Sequence, residues 1–470
     1  MIAVVRGSWP LFLGILLLML GNALQGSLLG VRSVFENFST EAFGYISAGY
    51  FIGFLGGSLL TPRLIRSVGH VRVFAAFGSL ISAAFIAYAA VVDPVAWFLM
   101  RFVVGFCFSG VYIVAESWLN ETSANADRGK AMSAYMITQM TGMVLGQQLL
   151  NVGDPKGYEL FVLISILVSL SIAPILLSVV KAPGFGSARP MTFRQLFDAS
   201  PLGMVGGLLN GAALSVLFGM TAVYGALLEL TIAEISILAS ATFAGGALLQ
   251  YPIGVISDRM DRRLLIIIIG AVGAAACVIG AATGRLELGA VGEVRLFAVY
   301  GVAVFAGGAI ISLYGLLIAH TNDFLENDQR AAAASGFTFV VGLGSSFGPI
   351  AAGYAMTLGG AGGFWLITAA TMAGVALYGL YRATQRAATP AEETAPYAAV
   401  GVRMTRVAAG ITQEAAVERW DEEEARAEAE AEADRADGGG DGGPVAPDPT
   451  RPPAEDAPEG DREPDPEVKP

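Results

Sequence analysis

The sequence predicts an all-α polytopic membrane protein: twelve transmembrane helices in two six-helix, pseudo-symmetric halves. Three observations predict it. Of 470 residues, 54% are hydrophobic and only 14% charged, against roughly 25% charged in an ordinary soluble domain, and the mean hydropathy is +0.60. Apolar runs near the roughly 20 residues needed to span a bilayer core recur from Trp9 to Arg382. Landmarks also repeat across a polar segment at 181–200, as in chains built from parallel repeats.

The spans are read at 9–31, 43–61, 72–92, 95–118, 130–152 and 159–180, then 201–228, 235–256, 264–283, 294–318, 331–357 and 362–382. The first is longer than a signal-peptide core and leads into further spans, so it is read as a retained helix. Asp93-Pro94 marks a very tight turn between the third and fourth. Residues 1–180 form an N-terminal half, 181–200 a central loop with Pro183, Gly184, Gly186 and Pro190, and 201–382 a C-terminal half. Span starts 9 and 201 differ by 192, Gly57 and Gly254 by 197, and Arg128 and Arg330 by 202.

Orientation follows from Lys and Arg in alternate connections. Fifteen fall in one set, among them Arg63, Arg66, Arg128, Lys130 and Arg330; four fall in the other, Arg32, Lys156, Arg285 and Arg295. The basic set belongs in the cytoplasm, which places both termini there. The remaining 383–470 is an acidic tail. Residues 391–470 hold 22 acidic and 8 basic residues, a net of −14, and leave the rest of the chain at +2. Residues 413–436 suit a lone charged helix, and the Gly, Pro, Asp and Glu beyond them have too little apolar surface to fold. Trp420, in this acidic surround, is a candidate contact for a protein partner.

Several classes are excluded. The +2 body has no basic stripe of the kind nucleic acid requires. Cys107 and Cys277 both lie inside apolar spans and read as small buried hydrophobes. The chain shows no metal cluster, phosphate loop or nucleophile–base arrangement, so neither a cofactor nor an enzyme is expected.

The sharpest motif follows the eighth span and runs from Gly254 through Asp258, Arg259, Asp261, Arg262 and Arg263. It resembles the loop signature of the major facilitator superfamily (MFS), G-x-x-x-D-R-x-G-R-R, with Asp261 in place of the second Gly. The resemblance implies a conformational latch, not a substrate site. The first-half loop is degraded: Gly57 is followed by Thr61 and Pro62, then Arg66, Gly69, His70 and Arg72. Arg101 and Gly105 resemble the family's R-x-x-x-G pattern in the fourth span, and Gly348-Pro349 in the glycine-rich eleventh span also resembles the superfamily. Glu116–Asn120, Tyr314–Asp323 and Gln250–Gly254 are similar to the YcaD-like branch of bacterial permeases, which has no agreed substrate. The superfamily resemblance covers roughly residues 8–382.

That resemblance implies a bacterial inner-membrane transporter of a small organic solute, working by alternating access between the halves. Polar residues an isolated span would not want are candidates for its pathway. Arg101, Gly105, Tyr112 and Glu116 share one helical face within about 60°, and Asn22, Gln25 and Arg32 another within about 80°. Gln139, Gln147, Asn210, Thr221, Tyr224, Tyr300 and Tyr314 complete the set; each alone equally suits an interhelical hydrogen bond. If Arg32 and Arg101 both reach the cavity, an anionic or zwitterionic solute is expected. Proton linkage would need a titrating group, and Glu116, Asp323, His320 and Glu229 are available. Glu116, near the basic end of its span, reads as a gate or latch residue beside Asp323. A non-transporting assembly or sensory protein, with the tail as docking arm, is the alternative.

Overall fold

The structure, a computed structural model, describes residues 9–122, 128–176, 191–283 and 292–385. Residues 181–190, Arg285, Arg386 and the tail with its 413–436 stretch and Trp420 lie outside the described residues. The chain divides into two compact units, Met1–Trp420 and Asp421–Pro470, the second wholly outside them.

Twelve helices of 18 residues or more lie among the described residues. The first six are α1 (Trp9–Phe35), α2 (Thr40–Val68), α3 (His70–Ala90), α4 (Pro94–Thr122), α5 (Arg128–Gln148) and α6 (Glu159–Leu176). A short α7 (Phe193–Ala199) precedes α8 (Pro201–Leu227), α9 (Ile232–Ser257), α10 (Arg262–Thr283), α11 (Gly292–Asn322), α12 (Asn327–Gly359) and α13 (Gly362–Ala383). Ten are long and apolar enough to cross a membrane. The two others are α5, which carries Gln139, Gln147 and Gln148, and α6, whose apolar stretch is short. Every span read from the sequence has its helix, several longer by a turn than the apolar run, because polar caps and first turns belong to the helix but not to the hydrocarbon. Two ends result. The basic end carries Val68, Arg262, Asn322 and Arg382; the opposite end carries Phe35, Ala90, Leu227 and Gly359.

The repeat is visible atom by atom. After α1 the chain turns through Asn37 at φ 58°, and after α8 through Glu229 at φ 57°; these are the non-glycine residues with positive φ among the described ones, 192 apart. Both turns close the same way: Phe38 N–H bonds to Ser33 C=O at 2.9 Å and Leu230 N–H to Gly225 C=O at 3.1 Å, a left-handed helix end. The next helices then start on Ser39 and Thr231, whose hydroxyls accept from Ala42 N–H and Glu234 N–H.

Close helix approaches obey the same register. A Cβ on Gly53 would strike the Phe102 carbonyl, and one on Gly105 the Tyr50 carbonyl; in the second half Gly245 meets Val304 and Gly307 meets Thr242. These α2–α4 and α9–α11 seams need glycine because backbone touches backbone. Gly146 on Leu20 and Gly348 on Ala212 repeat the pattern between α1 and α5 and between α8 and α12. The offsets are thus 192 for the first two helices of each half and 202 for the fourth and fifth. Gly57 consequently matches Leu249, and Gly254 matches Pro62; pairing Gly57 with Gly254 by sequence motif was five residues out of register.

Candidate functional site

Where the first six helices meet the last six, contact is close at the opposite end. Gly44 on α2 lies against the Pro349 carbonyl of α12, and Gly353 against Thr40 and Glu41. The Thr40 hydroxyl donates to Gly353 C=O at 3.0 Å and lies 2.7 Å from the Thr357 hydroxyl, while the Tyr45 and Tyr354 hydroxyls are 3.2 Å apart. Gln148 on α5 donates to the Ser236 carbonyl (3.3 Å) and the Ser240 hydroxyl (2.8 Å) of α9, the symmetry-related seam. Gly30 on α1 sits on Ala222 and Val223 of α8.

Toward the basic end the α2–α12 seam parts around a cavity of about 70 Å³. Tyr50, Phe54 and Ser58 line it from α2, Phe218 from α8, Tyr314 from α11, and Thr338 and Ser345 from α12. That volume holds a few waters; it is less than the roughly 150 Å³ at which an apolar cavity takes up benzene. The aromatic walls are buttressed on both sides. Phe54 packs on Tyr112 (6.1 Å between ring centroids), Phe218 stacks on Phe243 (4.9 Å), and Tyr314 contacts Phe337 (5.6 Å).

Behind the first-half wall runs a polar chain through the hydrocarbon depth. Arg101 donates to Gln25 Oε1 at 3.0 Å, Gln25 to Asn22 Oδ1 at 2.8 Å, and Asn22 to the Tyr112 hydroxyl at 2.6 Å. All four side chains are buried. The faces read from α1 and α4 therefore meet each other, and Arg101 lies 5.4 Å from the Tyr50 ring centroid. A guanidinium over a ring face is stabilised by the ring's quadrupole. Glu116, about 22 Å further along α4, is fully buried and accepts from the Tyr135 hydroxyl at 2.9 Å, tying α4 to α5. Gln147 accepts from Ser27 across α1 and α5, and Gln139 is buried on α5.

Other pathway candidates are placed elsewhere. Arg32 bonds Glu36 at 2.6 Å and the carbonyls of Pro155, Lys156 and Gly157, so it ties down the loop after α5. The expectation that Arg32 and Arg101 together reach a cavity is corrected: neither lines it, because each is held by nearer acceptors. Tyr224 stacks on Phe364 at 4.8 Å in the α8–α13 packing, and the Tyr300 hydroxyl donates to Glu234 C=O at 3.4 Å at the opposite end. The Thr221 hydroxyl donates to Leu217 C=O within α8. Asn210 is fully buried in α8, with no hydrogen-bond partner for its amide among the described residues. Of the sequence candidates only Tyr314 lines the cavity. Tyr50, Phe54 and Ser58 were missed because aromatic residues at i and i+4 read as ordinary helix packing; the cue available was a serine four residues further along the same face.

The latch residues of the second half converge. Arg262, at the start of α10 and 2% exposed, bonds Asp323 of α11 at 2.5 Å, Asp258 at 3.3 Å and the Ser257 hydroxyl at 2.9 Å. His320 Nδ1 stands 3.9 Å from Asp323. Arg263 donates to Arg382 C=O at 3.3 Å, joining α10 to α13, while Arg259 is exposed and Gly254 buried. One arginine thus clasps three helix ends. In the first half Gly57 lies in the α2–α4 seam against Phe106, Gly69 (φ 86°) links α2 to α3, and Arg72 is exposed. Gly57, Gly69 and Arg72 are not brought together into a clasp of that kind. Pro349 packs beside Gly219 at the closed seam.

Two pseudo-symmetric six-helix halves enclosing a central cavity define a membrane transporter fold. The sequence profile of the Major Facilitator Superfamily matches residues 11–231 and 203–417, and the chain belongs to that superfamily. An uncharacterized MFS-type transporter, YcaD of Escherichia coli O45:K1, is 26% identical over 339 residues, 72% of this chain and 85% of the relative. A second, from Enterobacter sp. strain 638, is 25% identical over 342 residues, 72% and 86% respectively. Among solved structures, the nucleoside transporter NupG superposes with a TM-score of 0.62 at 17% identity, over 79% of this chain and 98% of that one. A bacterial homologue of the human lysosomal transporter Spinster, inward-facing and unoccupied, gives 0.61 at 13% identity, over 86% and 96%.

Proposed function

We propose that this chain is a secondary active transporter that carries a small organic solute through the central cavity by alternating access, linked to protons. The observation that carries the reading is the cavity between the halves beneath a seam closed by Gly44–Pro349 and Gly353–Thr40 contacts. Such contacts form and part as whole backbone surfaces, which suits rigid-body rocking about a central site. With the basic end in the cytoplasm, as the Lys and Arg distribution directs, this state faces inward and both termini are cytoplasmic. Residues 181–200 then form the cytoplasmic link between halves. Glu116 is the proton-carrying candidate, being a fully buried carboxyl on the helix that also carries Arg101.

The test is uptake into proteoliposomes with cysteines at Thr40 and Thr357. Crosslinking them is expected to abolish transport and reduction to restore it; transport indifferent to the crosslink would exclude rocking at this seam. Collapsing the pH gradient is expected to stop accumulation, and unchanged accumulation would remove the proton. The non-transporting reading would rest on the acidic tail and the degraded first-half latch; the YcaD relatives, named as transporters, favour transport.

A further inference from the structure

The structure assigns to the central cavity a class of solute: an uncharged, planar aromatic ring with hydrogen-bonding groups on its edge. This inference rests on the transport reading of the same cavity. None of the twelve lining residues is charged, and five are aromatic. A carboxylate or ammonium placed among them would lose its hydration with no charged side chain in the lining to contact, a cost a small solute cannot recover from contacts with rings. A planar ring loses little hydration and gains offset or edge-to-face packing.

The aromatic groups are distributed to hold a ring from both halves. Tyr50 and Phe54 stand on one side; Phe218 and Tyr314 stand on the other. Each is fixed by a further ring: Tyr50 by Phe108, Phe54 by Tyr112, Phe218 by Phe243, Tyr314 by Phe337. The walls are therefore rigid, and a ligand meets little loss of side-chain freedom. Ser58, Thr338 and Ser345 supply hydroxyls at the margins, and the Tyr314 hydroxyl lies 3.5 Å from that of Thr338. These suit an amide, hydroxyl or ring-nitrogen edge rather than an ion. Arg101 acts through Tyr50, its charge over the ring, and is a positioning residue for that wall.

In the present state the cavity is too small for such a ring. The wall that must yield is the α2–α12 contact, where Leu55 stands 3.1 Å from the place a Gly342 Cβ would occupy. Since that contact joins the two halves, admitting the ring and rocking the halves are one movement.

The experiment measures stabilisation of the full-length chain in detergent by three probes of matched size: benzamide, cyclohexanecarboxamide and benzoate. Ligands that bind the folded state raise the unfolding temperature by mass action. Benzamide is expected to act at concentrations at least tenfold below the other two. Phe54→Leu and Phe218→Leu, which keep bulk and remove the ring, are expected to erase most of that advantage. Equal potency of cyclohexanecarboxamide would overturn the aromatic assignment, and stronger binding of benzoate would overturn the uncharged one. Absence of stabilisation by all three in the parent also overturns it. Transport is read separately, by exchange of labelled benzamide across proteoliposomes. Binding without exchange would leave the ring site standing and remove the transport reading.

Discussion

The two halves share a backbone and differ in where their polar groups lie. In the first half, Arg101, Gln25, Asn22 and Tyr112 form a buried chain. The register of 192 and 202 residues places Ala303, Leu217, Leu214 and Tyr314 at the same sites in the second half. Glu116 and its partner Tyr135 become Ile318 and Phe337. At the basic end Arg262 and Asp323 make the clasp of the second half, and offsets of 192 and 202 put His70 and Glu121 at those sites in the first half, the Glu121 side chain lying outside the described residues. The lesson is a division of labour: symmetric glycine seams supply the parts that must move alike, while the polar chain of Arg101 and the clasp of Arg262 sit on sites whose counterparts carry different residues.

The comparison is broken or sharpened first at the clasp. Arg262→Ala leaves Asp323 buried without its arginine, and such a loss costs about 3–5 kcal/mol. Thermal unfolding in detergent is expected to show a much larger drop than for His70→Ala. Equal drops would mean that both halves are clasped alike.

Next come the seams. Gly53→Val and Gly245→Val each drive a side chain into a facing carbonyl, and overpacking of this kind costs roughly 1–3 kcal/mol or more. Both are expected to reduce folded yield and melting temperature to a similar degree. A penalty in only one half would refute the shared scaffold.

Arg101→Gln tests the polar chain itself. Loss of a charge-assisted hydrogen bond costs about 1.5–3 kcal/mol, so a lower melting temperature is expected, partly rescued by Lys. The smallest effect is expected from Tyr314→Phe, whose 3.5 Å contact with Thr338 is long for a hydrogen bond, at under about 1 kcal/mol. Tyr112→Phe, its mate in the first half, removes a 2.6 Å bond from buried Asn22 and is expected to cost more, about 1–3 kcal/mol. If the two tyrosines cost the same, the asymmetry of the halves is not energetic.

Much of the scaffold was legible in the residues. The twelve helices follow from apolar run length, and the repeat from Arg128 and Arg330 or the starts at 9 and 201. The clasp was half legible: Asp258, Arg262 and Asp323 were singled out, but their convergence on one arginine requires three helix ends to meet. The cavity was the least legible. Intramembrane polarity drew attention to Arg32, Tyr224 and Tyr300, which the fold uses for a loop tie and for packing at the opposite end. Meanwhile Tyr50, Phe54 and Phe218 look like core in any single helix.

The sequence by itself determined the class, the number of helices and the existence of the repeat, because these depend on hydrophobicity and spacing along one chain. Only the tertiary structure decided which polar groups satisfy one another and which faces are left to form a cavity. Buried side chains such as Arg101, Glu116 and Arg262 find partners on other helices, and which helix that is depends on how all twelve pack.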